Sequence, residues 1–248
     1  MGAEAAAAAV VLGGALAGGF VSGLAGFGTG LVALGIWLHA LPPAAAATLV
    51  VACSVIAQSL TLRAIWHAVR PARVLPFVAP GLLGVPAGTA LLRHLDSEGF
   101  KLATGLLLVA FSAFLLLYRR PIRLRLGGRA ADGAVGFAGG ILGGLAGLSG
   151  ALPTVWASLR GWGKDEKRAV FQSFNLSVLA AALVAHAASG LVTAEVCWLV
   201  LLALPGTTLG AWLGARAYRR LSDRRFHEAV LALLLASGLV LVWDALAA

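Results

Sequence analysis

The chain has 248 residues, of which 60% are hydrophobic and 12% charged, with a formal net charge of +9. That is far too apolar for a soluble domain of this length. The positive balance alone would suit a nucleic-acid partner, but the basic residues fall in short loops between apolar runs, where they orient a membrane protein instead.

From the amino end, charge is absent between Ala5 and Leu62. A helix crosses a bilayer with about 20 apolar residues. The first segment, about 5–38, would be about 51 Å long as a straight helix, more than a hydrocarbon core of about 30 Å. Glycines break it. Ala17–Gly26 reads AGGFVSGLAG and continues into Phe27-Gly28-Thr29-Gly30. Ordinary apolar spans follow at about 44–62, 74–92 and 102–118. After a basic linker, a second broken segment covers about 132–159. Within it Ala138–Gly147 reads AGGILGGLAG, identical to the first copy at 7 of 10 positions, and continues into Leu148-Ser149-Gly150. Spans at about 169–187, 196–215 and 227–244 complete the chain. Further matches extend the repeat: Gly84, Gly88, Arg93 and Phe100 align with Gly210, Gly214, Arg219 and Phe226.

This order predicts an all-α polytopic membrane protein of two inverted repeats, each a re-entrant glycine-broken hairpin followed by three transmembrane helices. The first repeat covers 1–120, a basic cytoplasmic linker 121–131, and the second repeat 132–248. The alternative is a bundle of eight full transmembrane helices. Charge discriminates between them. Eight crossings divide the Lys and Arg residues almost evenly between the two faces. Two hairpins place the loops 63–73, 119–129, 160–168 and 216–225 on one face, with 17 basic residues against 2 on the other. The second division follows the positive-inside tendency and makes the basic face cytoplasmic.

The hairpin tips are the candidate site. Helices broken at membrane depth expose backbone N–H groups that favour an anion, and such backbone is tolerated only where protein or a water-filled cavity satisfies it. Gly28, Thr29 and Gly30 form the first tip, and Ser149 and Gly150 the second, with Thr29 and Ser149 as hydroxyl donors. A second polar cluster lies in FQSFNLS, where Gln172 and Asn175 are candidate ligands; Ser54, near Gln58, is the first-repeat counterpart of Asn175. Amides and hydroxyls bind an oxyanion without a fixed countercharge. The Gly84/Gly88 and Gly210/Gly214 pairs read as helix packing. Pro76, Pro80, Pro86 and Pro205 are expected to kink their spans. No Asp, Glu, Lys or Arg lies deep within a span, so a buried-carboxylate relay has no support. His39 and His186 sit near span ends and read as interfacial.

These glycine-rich segments, GLAGFGTG at 23–30 and GLAGLSG at 144–150, and the basic stretch before FQSFN at 171–175, resemble the sulfite exporter TauE/SafE family of membrane transporters. Thr29 interrupts the family's usual three-glycine run. The resemblance implies a multi-pass carrier of the bacterial inner membrane, often associated with export of sulfite or organosulfur anions. The leading expectation is therefore a secondary transporter of a small anion, working by alternating access around a midplane site. Its partners are the anion, the lipid bilayer and a coupling ion, with no nucleic acid. No P-loop, disulfide framework or zinc spacing is visible, so neither cofactor nor metal is expected. Two rivals remain open: a passive anion channel, and an intramembrane serine protease in which Gly147-Leu148-Ser149-Gly150 supplies the nucleophile and His186 the base.

Overall fold

The computed structural model describes residues 2–117, 128–160, 164–218, 235, 238–243 and 245–246. Their regular structure is helical: α1 (Gly2–Ala25), α2 (Thr29–Trp37), α3 (Pro43–Leu62), a 3₁₀ turn (Arg63–Ala68), α4 (Pro71–His94), α5 (Ser97–Leu117), α6 (Gly128–Ala146), α7 (Ala151–Arg160), α8 (Lys164–Ala188) and α9 (Ala194–Ala217). Residues 238–243 are also helical. Helix α4 runs through Pro76, Pro80 and Pro86, and α9 through Pro205.

Six described helices have the length and apolar composition to cross a membrane, within Ala6–Ala25, Pro43–Leu62, Pro71–His94, Ser97–Phe114, Arg168–Ala188 and Ala194–Ala217. Five coincide with expected spans. The sixth is the first arm of the first glycine-broken segment, long enough in its own right because α1 does not break until Gly26. The expected span at 227–244 lies largely outside the described residues, as does the linker at 118–127.

Both glycine-broken segments fold back on themselves. Helix α2 has only 9 residues, about 14 Å, and α7 only 10, about 15 Å, so neither is long enough to cross a core of about 30 Å. Helix α2 returns along α1: Gly28 meets Val21, Thr29 and Ala33 meet Gly18, and the Trp37 indole donates to the Val11 carbonyl at 3.2 Å. Helix α7 returns along α6 in the same way. Ser149 packs on Gly139 and Gly143, and the Trp156 indole donates to Asp132 Oδ1 at 2.7 Å. A tryptophan on the short arm thus pins the open end of each hairpin. The reversals use glycine where other residues are strained, at Gly26 (φ 81°), Gly28 (φ 102°) and Gly147 (φ 68°).

Two glycine-lined pairs hold these hairpins in the bundle. Helices α4 and α6 run parallel, with Gly81, Gly84 and Gly88 against the backbone of Gly136–Ile141, and Gly140 and Gly144 against Gly81 and Val85. Helices α1 and α9 also run parallel: Gly210 and Gly214 meet Leu16 and Phe20, while Gly19 and Gly23 meet Thr207 and Ala211. A β-carbon at Gly84 or Gly214 would collide with backbone, so the packing role read for these glycines holds. The pairing crosses the sequence. The hairpin of the amino-terminal part lies on α9, and that of the carboxy-terminal part lies on α4.

Helix α3 runs antiparallel to α8, as the contacts Thr48–His186 and Thr61–Gln172 require. Helix α6 runs with α8, since Gly139 meets Phe174 and Gly143 meets Val178. Helix α1 runs with α3, from the Trp37 end toward Arg168 and Gln172. The two hairpins therefore point toward each other. At one end of the bundle Arg73 pairs with Glu166, and Arg168 stacks on Tyr218 with its guanidinium carbon 4.2 Å from the ring centroid. At the opposite end a cavity of about 350 Å³ opens among Pro42, Ala44, Arg93, Leu95, Ser97 and Leu191. The outer surface carries exposed Leu83, Trp198, Leu201 and Trp212, as a lipid-facing wall requires.

Candidate functional site

The tips meet near the centre of the bundle. Gly30, at the start of α2, lies against Leu148, the Gly147 carbonyl and Val50. Gly150, just before α7, lies against Phe27 and the Asn175 amide. The chain must be glycine at both places, because a side chain would separate the tips. Gly28 serves the turn itself: it is the left-handed residue that starts α2, and it faces Val21 within its own hairpin.

Polar side chains from α8 and α3 surround the junction. Ser149 Oγ donates to Asn175 Oδ1 at 2.8 Å, with both residues buried. Gln172 Nε2 donates to Thr61 Oγ1 and reaches the Gln58 carbonyl at 3.4 Å. Gln172 and Asn175 are three residues apart on α8, so they share one face. Ser54 is buried on α3, and among the described residues no hydrogen bond ties it to either tip. Thr29 is buried at the first tip, and its hydroxyl has no partner. Asn175 Nδ2, Gln58 Oε1 and Gln172 Oε1 are likewise buried without partners. A buried polar atom left unpaired costs about 1–3 kcal/mol, so its concentration at one junction needs a reason.

Sequence reasoning missed Arg168. The charge pattern places it in a basic loop, but it lies on α8, only 6% exposed. Arg168 Nη2 donates to the Gly23 carbonyl at 2.9 Å and Nη1 to that of Leu24 at 3.5 Å, capping the last turn of α1, while Nε has no partner. Its stem packs beside Gly26. The signal was available as spacing: Arg168, Gln172 and Asn175 fall at i, i+4 and i+7, one stripe of a helix. Thr61, the acceptor for Gln172, was missed as well.

His186 requires a correction. It is not interfacial but fully buried, bonded to Thr48 Oγ1 through Nδ1 at 3.0 Å and to the Gly144 carbonyl through Nε2 at 2.7 Å. Ser149 has the Asn175 amide oxygen as its partner instead. The nucleophile and base of the protease rival are therefore not brought together. His39 is exposed, in keeping with an interfacial position.

Three donors around the tips, the Thr29 hydroxyl, the Asn175 amide and the Arg168 Nε–H, are buried and lack an acceptor. No curated protein and no solved structure matches the chain. Residues 10–241, which include both hairpin tips and every polar group of the junction, match the family described as Sulfite exporter TauE/SafE. The chain belongs to the sulfite exporter TauE/SafE family, whose members are membrane transporters of sulfite or related anions.

Proposed function

We propose that this protein is a secondary transporter that exports a small oxyanion, sulfite or a sulfonate, through a site between the two hairpin tips. The observation that carries this reading is the junction itself. Two broken helices meet head to head, and buried donors around them lack acceptors. An anion supplies those acceptors. Arg168 contributes the positive charge, while Thr29 and Asn175 contribute direction and shape. The hairpins enter the bilayer from opposite faces as inverted repeats, 1–120 and 132–248. Support comes from the opposed course of α1 and α6, and from the matched pinning of each short arm by a tryptophan. The end that carries Arg73, Glu166, Arg168 and Tyr218 is cytoplasmic, because it gathers the basic loops. The membrane is the bacterial inner membrane. Alternating access would expose the junction to one end and then the other.

The test is flux in liposomes containing the purified protein, screened with sulfite, sulfate, methanesulfonate and acetate. With an ion gradient imposed across the vesicle membrane, one of the sulfur oxyanions is expected to show saturable transport that accumulates against its own gradient. Each lost donor removes a hydrogen bond to a charged group, worth about 1.5–3 kcal/mol, so Thr29→Val and Asn175→Leu should each weaken apparent affinity about 10-fold or more. Wild-type affinity in both variants would remove these residues from the site. Flux that never exceeds equilibration would identify a passive channel.

A further inference from the structure

One buried titratable side chain takes no part in the junction. His186 bridges α8 to α3 and α6 through both ring nitrogens. The Gly144 carbonyl only accepts, so Nε2 carries a hydrogen. Thr48 Oγ1 lies 3.0 Å from Nδ1 and 2.8 Å from the Ala44 carbonyl. Its single hydroxyl proton thus has two acceptors within reach. With a neutral ring, the hydroxyl donates to Nδ1. With a proton on Nδ1, that N–H donates to Thr48 Oγ1, and the hydroxyl turns to Ala44. Both ring nitrogens keep a partner in either state, and no heavy atom need move.

The position matters as much as the bonding. Ala44 lines the cavity of about 350 Å³ at the end opposite Arg168. Thr48 therefore connects the imidazole to a residue that faces open space. On the other side, Gly144 lies three residues before Gly147, about one turn from the second tip.

We propose that His186 is the proton-coupling site of the transporter, loaded through Thr48 from that cavity when an anion occupies the tips. This rests on the anion-transport reading above. The step is a relay: a hydronium from the cavity gives a proton to Thr48 Oγ1 and is left as water, while the Thr48 hydroxyl proton passes to the Nδ1 lone pair, so the ring becomes an imidazolium and Thr48 stays neutral. The Ala44 carbonyl only accepts the Thr48 hydroxyl and passes no proton. His186 lies eleven residues from Asn175 on α8, about three turns, so a positive ring there offsets part of the charge of a desolvated anion through the low-dielectric interior. Binding of each then favours the other by the same factor, and anion and proton cross together.

The surroundings leave this charge relation clear. Helix α3 carries no charged residue from Pro43 to Leu62, and its titratable side chain is Cys53, five residues past Thr48. On α6, Arg129 and Asp132 sit at the far end, where Asp132 meets Trp156. On α8, Arg168 lies about five turns away. Helix α4 packs on α6 and α8 and brings Arg93 and His94 to the cavity end, with Arg93 on the cavity wall. Among the described residues none of these is hydrogen-bonded to the imidazole.

The experiment loads the same liposomes with a pH-reporting dye and uses the carried anion among sulfite, sulfate, methanesulfonate and acetate. In the wild type an imposed pH gradient should change flux about fivefold or more, and anion entry should shift the lumenal pH. His186→Gln should lose both responses. Thr48→Val should lose them too, while Thr48→Ser, which restores the hydroxyl, should keep them. If His186→Gln fails gel filtration, the Thr48 pair decides the matter. Wild-type flux indifferent to the gradient, or a folded His186→Gln that still responds, overturns the proposal and leaves anion transport standing. A wild type that carries none of the four anions overturns the transport reading, and the coupling with it.

Discussion

At the scale of single residues, Arg168 is the most consequential position. A guanidinium that is only 6% exposed would be costly without partners, and it answers this with two α1 carbonyls and the face of Tyr218. The Nε–H, beside Gly26, has no partner. Arg168→Gln should raise the half-saturating anion concentration about 10-fold or more, since hydrogen bonds to charged groups are worth about 1.5–3 kcal/mol. Measuring flux at several ionic strengths checks this, because the wild type should lose affinity with salt more steeply than the variant. The sequence misled here for a physical reason. Counting charges by loop assigns every basic residue to water, whereas a helix that starts earlier than its apolar run can carry inside the charge nearest that run, as α8 carries Arg168. The same limit applies to His186. Its place near the end of a span was legible, but not the turn of α6 that covers it.

At the scale of elements, α8 gathers buried polar side chains along one stripe. Arg168, Gln172, Asn175 and His186 all face inward at helical spacing, separated by buried Leu179 and Ala182. The helix therefore passes from the cation, through the amides at the junction, to the imidazole. The glycine helices work differently, by shape. At Gly140 the backbone of Gly81 leaves no room for a methyl group. Gly140→Ala should destabilise the protein by about 1–3 kcal/mol through overpacking. Leu83→Ala, at a residue 74% exposed on the neighbouring helix, should change stability by about 0.5 kcal/mol or less. Thermal unfolding in detergent measures both. These elements were legible because apolar runs bounded by charge give spans, and repeated glycines give the breaks. Their partners were not, since a stripe of glycine says that something approaches without saying what.

At the scale of the whole molecule, the pairing of α1 with α9 and α4 with α6 separates the structural units from the sequence repeats. Each hairpin is fastened by glycine contacts to a helix from the other part of the chain. Rigid-body motion should therefore carry a hairpin together with its fastened helix, and sliding should occur across the α3–α8 contact that bears Thr61 and Gln172. A cysteine cross-link between positions 61 and 172 should arrest transport, and its reduction should restore it; flux unchanged by the cross-link would show that the moving units are divided elsewhere. Cys53 and Cys197 are free thiols, so both would be replaced first.

The α1–α9 fastening also sets a timetable for biogenesis. Helix α1 leaves the ribosome with a strip of bare backbone whose partner is made some 190 residues later. Until α9 emerges, that strip has only lipid to face, and the amino-terminal hairpin has no fixed seat. Nascent chains cut short before Ala194 should thus be prime substrates for membrane proteases, however well their earlier spans have inserted.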